Sequence, residues 1–363
     1  MTFQCNICRS NQIGKRMLRG DGERVVFCQK CGMGSVENPP ERTAIFYDDS
    51  YYGGNAQGHG YADYQMSAEH SLLWVRLMVE AIRDSGRVLD IGCADGFLLS
   101  HLRGNYELFG IEANKAASKQ AAAKGITILS DDLFTALQGA VSPFDIITSI
   151  ATFEHVLDFR RAFEISLIAM TPDGVLIFEV PLMSETEDNR DWIDGSYEHI
   201  FYPTVTGMER LFIELPALCF GFESKLQGFG STYIGFATRD QQTFQRVQSL
   251  FSAMASDSLE GLLQVERRLN LAHHLVHGFK PTVARVAAMP ELASVADSKE
   301  LMRQVLRLWL ADSMQAAQSA YMEQQATNWK AAYDELLKAT TPVTPPKGGL
   351  PRALLNFVKR ALP

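Results

Sequence analysis

The nine residues Val88-Leu89-Asp90-Ile91-Gly92-Cys93-Ala94-Asp95-Gly96 constrain this chain more than any other stretch. Apolar residues lead into an acid, and glycines follow two and six positions later. That is the signature of a buried strand turning tightly into a helix. Glycine there lets the backbone approach a ligand, and the first helical N–H groups are left to receive it. Many nucleotide binders share the pattern. Here an acid, Glu112, follows 22 residues after Asp90, in Leu108-Phe109-Gly110-Ile111-Glu112. This is where the next parallel strand should end, and where a carboxylate can hold a ribose.

Apolar periodicity extends the reading. Strands are expected at 87–92, 108–113, 126–129, 144–150 and 175–180, and helices at 68–84, 96–103, 115–124 and 158–170. Thr171-Pro172-Asp173-Gly174 reads as a turn before the fifth strand, and 223–229 with 232–238 as a closing hairpin. Strands alternating with helices predict a mostly parallel sheet covered on both faces. Residues 241–338 read as helical without a clean heptad, which points to packing on the catalytic domain or a partner. A proline- and glycine-bearing linker follows, then a basic amphipathic segment at 350–363 suited to a protein partner or an anionic membrane surface. The three histidines His273, His274 and His277 have helical spacing and read as a polar helix face.

The N-terminus carries a separate signal. Cys5-Asn6-Ile7-Cys8 and Cys28-Gln29-Lys30-Cys31 are 19 residues apart, a spacing that suits a closed tetrahedral zinc site. Four thiolates leave no open position, so the expected zinc is structural. Between the pairs, Arg19-Gly20-Asp21-Gly22 reads as a polar hairpin turn feeding Val25-Val26-Phe27. A tyrosine- and glycine-rich stretch at 41–63 then reads as a connector or lid. The net charge of −8 argues against broad nucleic-acid binding. No apolar run reaches membrane-spanning length and no signal-peptide core is visible, so a cytoplasmic setting is expected, with the tail allowing peripheral membrane contact.

Four segments in order carry a family resemblance: the glycine turn, Glu112, Ser130-Asp131-Asp132-Leu133 after the third strand, and Phe153-Glu154-His155-Val156 after the fourth. Residues 64–240 resemble the class I S-adenosylmethionine (SAM)-dependent methyltransferases. The implied fold is α/β, a Rossmann-like methyltransferase sheet with an N-terminal zinc-binding module and an α-helical C-terminal extension. The resemblance implies SAM as methyl donor. Gly92 and Gly96 would meet its amino-acid end and Glu112 its ribose. Asp131 or Asp132 would take its adenine amine, with Asp90 as a helper in the turn. Ala94 stands where the family often has a glycine.

Tyr197-Glu198-His199-Ile200-Phe201-Tyr202 resembles a motif of the sugar C-methyltransferases that act on nucleotide-linked deoxysugars. That family also has a four-cysteine zinc module and a tyrosine-rich connector, but a second α/β domain where this chain has helices. The resemblance implies a small-molecule acceptor, a sugar or glycan intermediate, methylated on oxygen or carbon. His199 is a candidate general base with Glu198 as its orienter, or else a cap for the following helix. His155 is a second candidate, or a packing residue that shapes the donor site. The rivals are a methyltransferase of another small metabolite and an inactive scaffold that binds a partner through its C-terminal helices. The expected division is 1–40, 41–63, 64–240, 241–338 and 339–363.

Overall fold

The computed structural model describes residues 3–39, 51–52, 64, 68, 72–138, 142–184, 190–194, 197–224 and 231–255. Most of the expected connector, the three spaced histidines, the helices expected after 255, the linker and the tail lie outside the described residues.

Two sheets organise the described chain. The smaller holds β1 (Ile13–Leu18), β2 (Arg24–Cys28), β3 (Gly34–Val36) and β9 (Phe201–Tyr202), all antiparallel and in that spatial order. The larger has seven strands. They are β4 (Ser85–Ile91), β5 (Asn105–Ile111), β6 (Thr127–Ser130), β7 (Phe144–Ile150), β8 (Met170–Pro181), β10 (Leu218–Ser224) and β11 (Thr232–Thr238). Their order is β10-β11-β8-β7-β4-β5-β6. The β8-β7-β4-β5-β6 part is parallel, while β11 runs antiparallel to both β8 and β10. This is a mixed α/β architecture with a parallel centre, as a Rossmann-like methyltransferase sheet requires.

Alternation along the central strands explains why both faces are covered. Val88, Ile146, Val175 and Ile177 enter one buried cluster. Their neighbours Leu89, Ile147, Leu176 and Phe178 enter the other. Successive side chains of a strand point to opposite faces, so a continuous apolar run needs cover on both. On the first face lie α1 (Leu73–Ile82), α2 (Phe97–Ser100), α3 (Lys115–Ala123) and α8 (Gln241–Ala255). The second face carries α4 (Leu133–Ala136), α5 (Phe159–Ile168) and α7 (Val205–Glu214), together with the cysteine module. A short α6 (Arg190–Asp194) packs Ile193 into a third, smaller cluster with Met17, Val25 and Tyr202. Side-chain N-caps start four of these helices: Asn114, Asp132, Asp158 and Thr204 each accept the N–H three residues on.

The cysteine module is bonded into the larger domain rather than tethered to it. Asn6 donates to the Asp158 carboxylate at 2.8 Å and accepts from the Arg160 N–H at 2.8 Å. Across the other edge, Gly34 and Ser35 pair with Tyr202 and Phe201.

Several expected boundaries are corrected. The helix expected at 96–103 is only α2, because the Arg103 N–H leaves it for the Glu80 carboxylate at 3.0 Å. Asp158 is the cap of α5 and not its first residue, and Met170 already belongs to β8. The turn expected at 171–174 lies within β8. Phe144 faces Met170 but Ile146 faces Val175, so the chain bows out there without leaving the sheet. The strand expected at 223–229 begins earlier, at Leu218, and ends at Ser224. After residue 240 the chain does continue as a helix, and Val247, Leu250 and Phe251 of α8 are buried in the sheet's own core.

Candidate active site

The ends of β4, β5, β6 and β7 converge at one edge, where parallel α/β sheets place ligands. After β4 the chain enters a left-handed turn, with φ of +78° at Gly92, +50° at Ala94 and +78° at Gly96. A side chain at Gly92 would strike Thr152, at 2.3 Å from its hydroxyl. At Gly96 it would strike Ile126 and Ala121, so that glycine serves the close packing of α2 on α3. Ala94 sits in the region that L-residues avoid, and its N–H shows why. It donates to Glu112 Oε2 at 2.8 Å.

Glu112 is buried at the tip of β5. Its other oxygen, Oε1, accepts the Asn114 N–H at 2.8 Å. Each carboxylate oxygen can accept two hydrogen bonds. Fixed by one backbone N–H apiece, the pair retains acceptor capacity for two vicinal hydroxyls, so the donor set fits a ribose. Tyr52, from the tyrosine-rich stretch, places its hydroxyl 3.5 Å from Glu112 Oε2. Burial pushes the Glu112 pKa up, against the two backbone bonds.

Asp90 points into the sheet instead of the turn. It accepts the Thr148 hydroxyl of neighbouring β7 at 2.6 Å, and burial raises its pKa to about 7. At the end of β6, Asp132 is used as a helix cap, accepting the Thr135 N–H at 2.7 Å and its hydroxyl at 2.8 Å. Asp131 is exposed beside it.

A second cluster lies beyond β7. The turn Phe153–His155 and the segment before β9 are tied by the Ile200 N–H donating to the Glu154 carbonyl at 2.8 Å. The His155 Nδ1 lies 3.3 Å from the Glu198 carbonyl. His155 and His199 stack edge to face, 4.8 Å between centroids. Glu154 is fully buried, with Oε1 3.5 Å from His155 Nε2. Burial opposes a charged His155, but the Glu154 carboxylate outweighs it and raises the pKa. His199 moves the other way. Burial first, then the charges of His155 and Arg19, hold it well below the usual histidine range. The two neighbouring imidazoles are thus pushed in opposite directions. The cap of α7 is Thr204, so His199 does not cap that helix.

Two members of this cluster are more deeply buried than their sequence indicates. Glu154 sits next to His155, but nothing in the sequence marks it as buried. Arg19 was read as part of a polar turn, yet it is 1% exposed and donates to the His199 carbonyl at 2.8 Å and the Tyr202 hydroxyl at 2.7 Å. Its only sequence signal is the acid two residues on, which pairs with it.

The four cysteines of the N-terminal module come together as their spacing predicts. Cys5–Cys31 and Cys8–Cys28 sulfurs are 3.5 Å apart, and all four lie within 4.8 Å of one another. A tetrahedron with Zn–S bonds of ~2.3 Å has edges of ~3.8 Å, whereas a disulfide needs ~2.05 Å. The donor set fits a tetrahedral ion. The mutual hydrogen bond holds the Cys5 thiol down at about 5 and pushes Cys31 up, and burial pushes Cys28 up. Four thiolates can coexist here only around a cation.

The strand order, the left-handed turn after β4 and the acid at the tip of β5 together define a class I methyltransferase fold. Residues 60–215, from before α1 through α7, match the family model described as Methyltransferase domain. The match spans less than half of the chain and marks this part as a methyltransferase domain. No curated protein matches the chain in sequence. Among solved structures it is similar to a SAM-dependent methyltransferase from Thermotoga maritima. That match has 14% identity, covers 49% of this chain and 94% of that one, and has a TM-score of 0.36. It is also similar to DhpI in a complex with SAM and HEP, at 18% identity, 54% and 96% coverage and a TM-score of 0.40. A third is the plantazolicin methyltransferase BamL with a triazolic desmethylPZN analog and SAH, at 12% identity, 53% and 94% coverage and a TM-score of 0.40. Matches at this level carry no residue-by-residue correspondence. Among the described residues no helix is long and apolar enough to cross a membrane.

Asp90 gives a pH test of this geometry. Its folded pKa of about 7 lies above the ordinary 3.8. A carboxyl with a raised folded pKa contributes stability below its unfolded pKa and loses it as pH rises through the folded one. Asp90→Asn keeps an acceptor for Thr148 and cannot ionise. Relative to the parent it should gain stability between pH 4 and pH 8, by up to ~4 kcal/mol. Denaturant unfolding at pH 5 and pH 8 measures the gap. A gap that does not widen would mean that Asp90 ionises normally.

Proposed function

We propose that this protein methylates a sugar or glycan intermediate, on oxygen or carbon, with His199 as general base. The observation that carries the reading is the placement of two sites along one sheet edge. A ribose-type acid, Glu112, is fixed by backbone at β5, and a neutral buried histidine, His199, stands against the turn after β7. In this reading Glu112 receives the two ribose hydroxyls. The turn at Gly92 to Gly96 faces the amino-acid end of the donor. Asp131 takes the adenine amine, because Asp132 is occupied as a cap. Asp90 braces the turn from within the sheet through Thr148.

SAM supplies a methyl carbon made electrophilic by its sulfonium. His199 removes the proton of an acceptor hydroxyl, or of a carbon beside a keto group, as that atom forms its bond to the methyl carbon. The carbon–sulfur bond breaks with its electron pair going to sulfur, and His199 carries away the proton. Glu154 and His155 form an acid–imidazole pair beside it, and Glu198 orients the segment through its carbonyl contact with His155. The sugar class is supported by the Tyr197-to-Tyr202 motif and by the four-cysteine module packed directly beneath it. In that module Cys5, Cys8, Cys28 and Cys31 would hold a structural zinc ion.

Glu112→Ala should weaken SAM binding by about 1.5–3 kcal/mol in a calorimetric titration, because a charge-assisted hydrogen bond is lost. Parent protein that does not bind SAM would favour the scaffold reading instead. The acceptor class is tested by incubating the protein with SAM and a panel of nucleotide-linked sugars and watching for gain of a CH2 unit by mass spectrometry. No sugar product alongside normal SAM binding would move the acceptor to another small metabolite.

With an accepted substrate, His199→Gln should lower turnover by ~10²–10⁴ while the SAM dissociation constant holds. Near-normal turnover would remove His199 from the base role. Elemental analysis of protein kept in reducing buffer should find about one zinc per chain; protein without zinc would sink the structural site.

A further inference from the structure

We propose that Arg19, on the hairpin turn of the cysteine module, is a positioning residue for His199. The guanidinium fixes the histidine's backbone through its carbonyl. This rests on the reading of His199 as the base.

The turn between β1 and β2 packs against Asp194, Tyr197, His199 and Tyr202. The Gly20 N–H donates to Asp194 Oδ1 at 2.8 Å, and a side chain at residue 20 would fall 2.2 Å from the Tyr197 hydroxyl. Only glycine fits at this contact, and the neighbouring Arg19 side chain is buried. Arg19 Nε and Nη2 form a two-pronged bond with the Asp21 carboxylate, at 2.9 and 2.7 Å. Nη1 then reaches the His199 carbonyl and the Tyr202 hydroxyl, and the Tyr197 ring lies 5.5 Å from the guanidinium carbon.

A buried cation is retained only when it is paired and hydrogen-bonded. Here one edge is neutralised by Asp21, and the other is spent on the two residues that flank Ile200 and Phe201. The fixed planar fork is what lets one side chain serve both edges. A lysine ammonium is a point charge and cannot span them.

His199 is therefore held from three sides. Arg19 grips its carbonyl, the Ile200 N–H is bound by the Glu154 carbonyl, and β9 is paired to β3 two residues on. The charged and titratable groups around the imidazole are Glu154 and His155 on the turn after β7, Glu198 and Tyr202 on its own segment, and Arg19 with Asp21 and Tyr197 at the hairpin. The guanidinium adds to burial and to His155 in disfavouring an imidazolium.

Replacing Arg19 separates charge from geometry. Arg19→Lys keeps the cation and loses the fork. Turnover should fall by ~10- to 100-fold, because small misplacements of a catalytic group are costly, with SAM affinity and the pH profile near those of the parent. Arg19→Met combined with Asp21→Asn removes the cation without stranding its acid. The acid limb of the pH–rate profile should then move to higher pH. The His199 ring signal should titrate at higher pH as well, followed by NMR in full-length protein with labelled histidine and identified by its loss in His199→Gln.

An unchanged His199 titration in a folded, SAM-binding Arg19→Met/Asp21→Asn protein overturns the proposal. So does full turnover of Arg19→Lys. A measurement on the parent stands apart from any variant's folding: the Arg19 side-chain N–H protons should exchange slowly with solvent, and fast exchange also overturns it. If His199→Gln retains turnover but the Arg19 variants still move the His199 titration, the base assignment has failed and the positioning contact has not.

Discussion

A single carboxylate ties the end of β5 to the turn after β4. Glu112 binds the Ala94 N–H on one oxygen and the Asn114 N–H on the other, so the tip of β5 and the turn after β4 form one rigid unit. The turn would not hold that shape by preference. Placing Ala94 in the left-handed region costs about 1–2 kcal/mol. A hydrogen bond to a charged group contributes about 1.5–3 kcal/mol, enough to offset the strain. The alanine is tolerated where glycine would be easier because its own N–H is part of the lock. Placement of the second cluster follows from sheet order. β7 lies beside β4, so the turn after β7 must emerge next to the turn after β4, and Thr148 of β7 hydrogen-bonds Asp90 of β4 across that same join.

Much of this was legible because the relevant information is local. Continuous apolar strands such as Phe144 to Ile150 can only be buried on both faces, and the glycines of the turn fall at a spacing few other structures need. The four cysteines carry their chemistry in their spacing. Asp131 and Asp132 could not be told apart, since each is an acid at a strand end. Only the hydrogen bonds of Thr135 show which one caps the helix.

What stayed hidden depends on distant partners. β9 is two residues long and exists because Gly34 and Ser35 offer it an edge. No periodicity can announce a strand of that length. Arg19, read as part of a solvated turn, becomes one of the most buried residues through contacts with His199 and Tyr202, some 180 positions away. The residues 171–174 carry turn chemistry yet lie inside β8. The sheet absorbs it as a bow because Met170 and Val175 are both anchored to β7.

The pairing of β3 with β9 also has a consequence in time. During synthesis the cysteine module emerges before the larger sheet, and its hairpin can close on its own. Its outer edge must wait until residues 201–202 have left the ribosome, by which point the central parallel strands are already available to pair. Until then the β3 edge is open to other strands, a state that invites mispairing. The contact that brings Arg19 against His199 waits on the same late arrival, so this cluster is completed only after most of the central parallel strands exist.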